Sequence, residues 1–249
     1  MKTSLVIPCT PEHFVNTLPS VLRTYEGGTV KPDEVVVSLS QAPLLQKMKV
    51  KQEDSAYISQ CISGNIFDKF KILSHNTRQT HGPNRQEGSL ASTGDIIIYS
   101  DADDVAHRQR IEIIKYFFEN YDIAHLNHRW IGDKKGFRDI DLGEIKYVNS
   151  QDMYKNYFPN QNIKECLNAT RAYGGGFMTY THTGHTSIRR EVLQKVRWKD
   201  WGELWSPAED YEFCMETLYS FNKSMLIKVP LIEYSNAGHM AGNSGDYYG

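Results

Sequence analysis

The stretch Gly94-Asp95-Ile96-Ile97-Ile98-Tyr99-Ser100-Asp101-Ala102-Asp103-Asp104 decides how this chain is read. Ile96 to Tyr99 is a short run of β-favouring apolar residues behind a turn signal, Thr93-Gly94. Such a run reads as a strand buried on both faces of a sheet. It ends in three carboxylates within four residues, Asp101, Asp103 and Asp104, with Ser100 beside them. Like charges at that spacing repel and lose hydration, so the cluster is costly unless a cation sits among them. Carboxylate oxygens with no adjoining Cys suit a hard divalent ion, Mn2+ or Mg2+. The carboxyl ends of strands in open α/β sheets are also where ligands bind. A plainer account has Asp103 or Asp104 capping a helix that begins near Val105. One cap explains one acid of three.

Outward from this stretch, strands and helices alternate. Ser4 to Ile7 is a β run that stops at Pro8, followed by the loop Cys9-Thr10-Pro11-Glu12-His13. Phe14, Leu18, Val21 and Leu22 have helical spacing, which predicts a helix to about Tyr25, ended by Gly27-Gly28. Glu34 to Leu39 is a second strand, so the first forty residues form a βαβ unit and imply a parallel sheet. No glycine-rich turn follows the first strand, which excludes a dinucleotide-binding fingerprint. Leu44 to Ile58 reads as a helix, Phe70 to Leu73 as a strand, and Arg85 to Thr93 as the helix leading into the central strand. Ile111, Ile114, Tyr116, Phe117 and Phe118 mark an amphipathic helix.

Farther on, Ile123 to Trp130 reads as a strand. It places His125 and His128 on opposite faces, as hydrogen-bonded histidines rather than joint metal ligands. Gly174-Gly175-Gly176 and the segment Gly184 to Leu193 offer close backbone approach to a ligand or simple turns. Pro207-Ala208-Glu209-Asp210 opens a helix over Tyr211 to Phe221, where acids also suit the helix dipole. Val229 to Tyr234 is a last strand, and Asn236 to Gly249 a mobile tail containing His239.

Composition sets the class. At 249 residues, 40% of them hydrophobic, the chain can bury one large α/β core. A net charge of -2 and no basic stripe give no reason to expect a nucleic-acid partner. Cys9, Cys61, Cys166 and Cys214 show no Cys-x-x-Cys spacing and read as isolated thiols of a reducing compartment. No run of 18 apolar residues marks a membrane span, and the first residues lack a signal peptide's apolar segment. The expectation is a cytoplasmic protein, in which the sequons at Asn168 and Asn222 are chance matches.

The order of these signals resembles the family 2-like nucleotide-sugar glycosyltransferases of GT-A fold. The residues that carry the resemblance are Pro8-Cys9-Thr10, Asn84-Arg85, Thr93-Gly94-Asp95, Asp101-Ala102-Asp103-Asp104, Gly184 with Arg189 to Leu193, and Glu209-Asp210. It covers roughly residues 3 to 235. It implies one α/β domain over residues 1 to 249, with a mostly parallel central sheet flanked by helices and a smaller β-containing acceptor side. Residues 1 to 104 would form the nucleotide-binding half, 105 to 235 the acceptor half, and 236 to 249 the mobile tail.

The resemblance also implies roles. Pro8, Cys9 and Thr10 would hold the nucleotide base, while Asn84, Arg85 and Arg78 would contact the base or diphosphate. Asp101 would sit by the ribose and the metal, and Asp103 would bind the ion. Apart from the resemblance, His239 in the tail reads either as a group reaching the metal or diphosphate or as a surface-exposed side chain. Gly184 and His185 would lie near the transferred sugar. Asp210 would be the catalytic base, with Glu209 positioning it or the acceptor. Trp201 and Trp205 offer faces for a sugar ring. The implied reaction is inverting, metal-dependent transfer from a nucleoside-diphosphate sugar, UDP by default, to a hydroxyl of a glycan or other acceptor. Ser38 or Ser40 stands where these transferases usually carry an Asp that selects the base, and Gly184-His185 replaces a double glycine.

Two other classes fit parts of the pattern. A sugar nucleotidyltransferase would want a glycine-rich, basic loop after the first strand, and Thr10 to Asn16 has neither glycine nor Lys or Arg. A non-catalytic glycan-binding module would need no base at Asp210.

Overall fold

In the computed structural model, β1 (Thr3–Cys9), β2 (Glu34–Leu39), β3 (Phe70–Ser74) and β4 (Ile96–Tyr99) pair in parallel in the order β3-β2-β1-β4. The structure describes residues 1–131, 136–150, 186–200 and 208–234. Gly174 to Gly176, Thr181, Gly184, His185, Trp201, Trp205, His239, Cys166, Asn168 and the 236–249 tail lie outside the described residues.

Why these runs become central strands is visible on β1. Leu5 and Ile7 enter one apolar cluster with Leu18, Leu22, Ile58 and Phe117, while Val6 joins Ile97, Tyr99, Trp198 and Phe213 in a second. A strand covered on both faces needs an unbroken apolar sequence, which is what β1, β2 and β4 supply. The sheet continues through β5 (Val105–Ala106), β6 (His125–Ile131), β7 (Tyr147–Asn149), β8 (Thr186–Arg189) and β9 (Ser224–Glu233). The order is β3-β2-β1-β4-β8-β6-β9-β5, with β7 also on β9. β8 is antiparallel to both β4 and β6, and β6 is parallel to β9, so six of the nine described strands run the same way. The mostly parallel sheet expected from the sequence is present, with an antiparallel insertion beyond β4. No helix among the described residues is long and apolar enough to cross a membrane.

The helices are α1 (Pro11–Asn16), α2 (Leu18–Glu26), α3 (Gln52–Ile62), α4 (His81–Ala91), α5 (Arg110–Asn120) and α6 (Ala208–Phe221). Several depart from the sequence expectation. The helix foreseen through Phe14 and Leu18 breaks at Thr17, because Pro19 lacks the N–H that a continuous helix needs. Leu44 to Ile58 divides into a 3-10 turn (Ala42–Lys47) and α3. The helix placed near Val105 is absent. Val105 and Ala106 instead pair with Glu233 and Ile232, and α5 begins at Arg110 behind Gln109. Asp103 and Asp104 therefore cap no helix. His125 and His128 go to separate partners as foreseen: His125 Nδ1 lies 3.0 Å from Ser224 Oγ, and His128 Nε2 accepts from Arg110.

Two residues lock the entry to β4 against β1 and β2. A Cβ on Gly94 would lie 2.7 Å from Ser4 N and 2.8 Å from Thr3 C, so only glycine lets the turn lie this close to backbone. Glu34, buried at the start of β2, accepts from Ser4 Oγ at 2.6 Å and Thr93 N at 2.6 Å, and pairs with Lys71 Nζ at 3.0 Å. Burial works to raise the Glu34 carboxyl. The Ser4 hydroxyl, the Thr93 N–H and Lys71 outweigh it and hold the group at about 2, below its ordinary 4.5. A carboxyl depressed on folding contributes stability that is full above its unfolded value and is lost as pH falls through the folded one. Stability should thus decline as pH drops from about 4.5 towards about 2. Glu34→Gln should lower the urea midpoint at neutral pH and flatten that decline, measured by urea titrations across the acid range.

Candidate active site

The chain passes from β1 through β2 to β3 on one side and returns to place β4 on the other side of β1. Strand order reverses there, and the crevice at the carboxyl ends of β1 and β4 is where an open α/β sheet binds ligands. Cys9 and Thr10 leave β1 at this edge, and Ser100 to Asp104 leave β4. The first turns of α4 and α6 complete the rim.

Arg85, buried on α4, is the hub. Its Nη2 donates to Asp101 Oδ1 at 2.9 Å, its Nη1 donates to Glu209 Oε1, and Nη1 lies 3.6 Å from Asp210 Oδ1. One guanidinium thereby joins the acidic stretch after β4 to the acids that open α6. Burial opposes the Arg85 charge, but Glu209, Asp101 and Asp210 outweigh it and raise its proton affinity, so the group is a permanent cation. Burial lifts the Glu209 carboxyl above its ordinary value, against the pull of Arg85 and of the Gly82 N–H, which donates to Glu209 Oε2 at 2.9 Å. Glu209 and Asp210 are accordingly more than dipole-favoured helix starters.

The segment 198–200 brings α6 to α4. Trp198 stacks on Phe213 with centroids 3.8 Å apart and lies edge-on to Tyr99, while the Arg85 guanidinium sits 5.4 Å over its ring. The Trp198 backbone N–H donates to Gln86 Oε1, Thr80 Oγ1 donates to Asp200, and Lys199 Nζ bonds Glu212 and Glu216 on α6. The approach is tight: a Cβ on Gly82 would fall 2.1 Å from Lys199 O.

The residues expected on the donor side divide. Pro8 and Thr10 are half-buried at the rim. Thr10 Oγ1 accepts from His13 N and caps α1. The Cys9 carbonyl accepts from Asn84 Nδ2 at 3.5 Å and from Ser40 N at 2.9 Å. Burial first, then the charges of Asp103 and Glu12, push the Cys9 thiol well above its ordinary range, so it is no nucleophile. Asn84 Oδ1 and Arg85 Nε are buried without a hydrogen-bond partner among the described residues. Ser38 is fully buried beneath Gly88 of α4 and meets His75 Nε2 at 3.0 Å, while Ser40 Oγ accepts from Gln79 N. Arg78 is exposed and joins none of these contacts among the described residues. Gly184, His185 and His239 fall outside the described residues.

Behind the acidic stretch lies a layer that sequence reading missed. Arg110 is fully buried; its Nε donates to His128 Nε2 at 3.2 Å, its Nη2 to Tyr99 O at 2.6 Å, and its Nη1 to the Tyr25 hydroxyl. Burial, then the Arg110 charge, keep His128 well below its ordinary value and hence neutral. Its Nδ1–H then donates to Arg129 O at 2.8 Å. Tyr25 donates onward to Ser100 Oγ at 2.8 Å, and Thr17 Oγ1 donates to Ala102 O at 2.6 Å. No sequence signal marks Arg110, since its partners come from α2, β4 and β6.

A family model for glycosyl transferase family 2 matches residues 52–196, more than half of the chain. The chain belongs to glycosyltransferase family 2. Solved structures bear out the fold of this family 2 chain. The 1–349 fragment of S. aureus TarS in complex with UDP-GlcNAc superposes with a TM-score of 0.65 at 14% identity, covering 94% of this chain and 58% of that one. Without ligand the same fragment gives 0.64, with 60% of its length covered, so this chain spans under two thirds of TarS 1–349. Glucosyl-3-phosphoglycerate synthase from Mycobacterium tuberculosis, with Mn2+, UDP and glucosyl-3-phosphoglycerate, gives 0.56 at 14% identity, covering 96% of this chain and 76% of that one. No curated protein matches the sequence.

Arg85→Met would leave three carboxylates around an apolar side chain. Removing one partner of a buried ion pair costs roughly 3 kcal/mol. The urea midpoint of the variant should drop accordingly, and Arg85→Lys should recover only part of the loss because it cannot bridge two carboxylates at once.

Proposed function

We propose that the chain transfers a sugar, with inversion, from a nucleoside-diphosphate sugar to a hydroxyl of a glycan or other acceptor. The observation that carries this reading is the Arg85 bridge: Asp101, expected at the donor, and Asp210, expected as base, converge on one guanidinium. An inverting displacement needs that convergence, because attacking hydroxyl and leaving group lie on opposite sides of one carbon.

The donor is read as a nucleoside diphosphate at the β1–β4 crevice, with UDP as the default. The buried, unpartnered Asn84 Oδ1 and Arg85 Nε support it, since a ligand supplying their partners would remove the cost of leaving them unmade. Ser38, closed off beneath α4, is an unsuitable base contact. Pro8, Cys9, Thr10 and Asn84 remain the base-side residues, and Arg85 the group for the diphosphate.

Asp101 and Asp103 would hold a divalent cation, Mn2+ or Mg2+. Among the described residues no three His, Cys, Asp or Glu side chains gather into a complete site. Mg2+-type sites commonly use one or two carboxylates and complete their shell with substrate phosphates, so the donor set fits. When bound, such an ion supplies positive charge for the departing diphosphate.

Asp210 takes the proton of the acceptor hydroxyl, with Glu209 holding the start of α6 against Gly82 and Arg85. We assign residues 1–249 to one glycosyltransferase domain, with a nucleotide half over 1–104, an acceptor half over 105–235 and a tail over 236–249. The buried thiols of Cys9, Cys61 and Cys214 suit a cytoplasmic setting.

Calorimetric titration with UDP, GDP and CMP, each with and without Mn2+, should show one nucleotide binding in a metal-dependent way. Asp103→Asn should weaken that binding, and Asp210→Asn should keep binding while transfer falls by at least about a hundredfold. Normal transfer by Asp210→Asn would remove it from the base role. Absence of any nucleotide binding by folded protein would favour a glycan-binding module of the same fold.

A further inference from the structure

The acidic stretch is held from behind at successive positions by side chains that touch no expected ligand. Arg110 binds the Tyr99 carbonyl, Tyr25 binds the Ser100 hydroxyl, and Thr17 binds the Ala102 carbonyl. Asp101, bonded to Arg85 in the crevice, and Asp103 stay partly exposed, whereas Asp104 is buried. The Asp104 and Arg110 charges both act on Tyr25, so the third acid of the stretch belongs to this inner layer and not to the rim.

The layer is built on directed hydrogen bonds. Arg110 donates three ways, to a ring nitrogen, a phenol and a carbonyl, and the phenol passes the contact on to Ser100. A buried guanidinium is expensive to desolvate, and leucine or methionine would fill the same space at less cost. Packing alone does not account for it. What a guanidinium does, and an apolar side chain cannot, is hold a strand-end carbonyl and a neighbouring hydroxyl at set directions at once. Ser100 stands between that hub and Asp101, and its own hydroxyl also reaches the Asp101 carbonyl at 3.3 Å.

We propose that Arg110, acting through Tyr25, is a positioning residue that sets the path of residues 99–103 and so aims Asp101 and Asp103 at the donor's cation. This rests on the donor-site reading given above. Arg110 and Tyr25 touch neither donor nor acceptor. Their contribution is to make the two rim carboxylates ready before the metal–nucleotide pair arrives.

Tyr25→Phe is the sharpest test, because it keeps the ring and removes the hydroxyl between Arg110 and Ser100. Amide hydrogen exchange at residues 99–103 should quicken while the far-UV spectrum stays that of wild type. Affinity for UDP without metal should be unchanged, and the extra affinity conferred by Mn2+ should fall about tenfold, the scale of one charge-linked hydrogen bond. Arg110→Lys should lie between wild type and Arg110→Met, since lysine keeps the charge but not the fork. If Tyr25→Phe and Arg110→Lys both keep wild-type exchange and the wild-type gain from Mn2+, the positioning role is wrong. If wild-type protein shows no metal-dependent UDP binding, the donor-site reading fails instead, and the exchange data alone decide whether the inner layer orders the stretch.

Discussion

Three carboxylates at the end of a buried strand must be neutralised, and the arrangement of this molecule follows from how that is done. Arg85 bonds Asp101 from the crevice, and Arg110 holds the Tyr99 carbonyl from behind. Each guanidinium is buried, and each ties the stretch to a different part of the chain. Arg85 reaches out to α6, whereas Arg110 reaches back to α2 and β6. Electrostatic demand at one strand end thereby becomes a tertiary constraint on both sides of the sheet.

The fold makes this possible by interrupting its parallel order. β8 runs antiparallel beside β4, and the chain that follows it crosses the start of α4 as residues 198–200. Stacking of Trp198 on Phe213 and the Lys199 contacts then seat α6 with its acidic first turn on Arg85. The same crossing explains Gly82, where a side chain would collide with the Lys199 carbonyl.

Much of the first hundred residues was legible in the amino-acid order. β1, β2 and β4 are unbroken apolar runs because both their faces are covered, and that pattern needs no tertiary information to see. Elements that lie on the surface or depend on partners were harder. Val105 looked like a helix start after two acids, yet its backbone joins β9 from the far end of the chain. Ser38 looked like a base contact by position along β2, but the face it occupies is closed by Gly88. His75, its hydrogen-bond partner, carries no local mark at all.

By itself, the sequence determined that a central apolar strand ends in a carboxylate cluster, that a βαβ unit begins the chain, and that a second acidic pair opens a late helix. These are properties of neighbours along the chain, set by hydrophobic patterning and local charge. Only the tertiary structure decided which charges meet. Arg85 and Glu209 are 124 residues apart in sequence and Tyr25 and Arg110 are 85 apart, yet each pair is in hydrogen-bond contact. Such pairs depend on where helices land on the sheet, and no pattern among neighbouring residues records that landing.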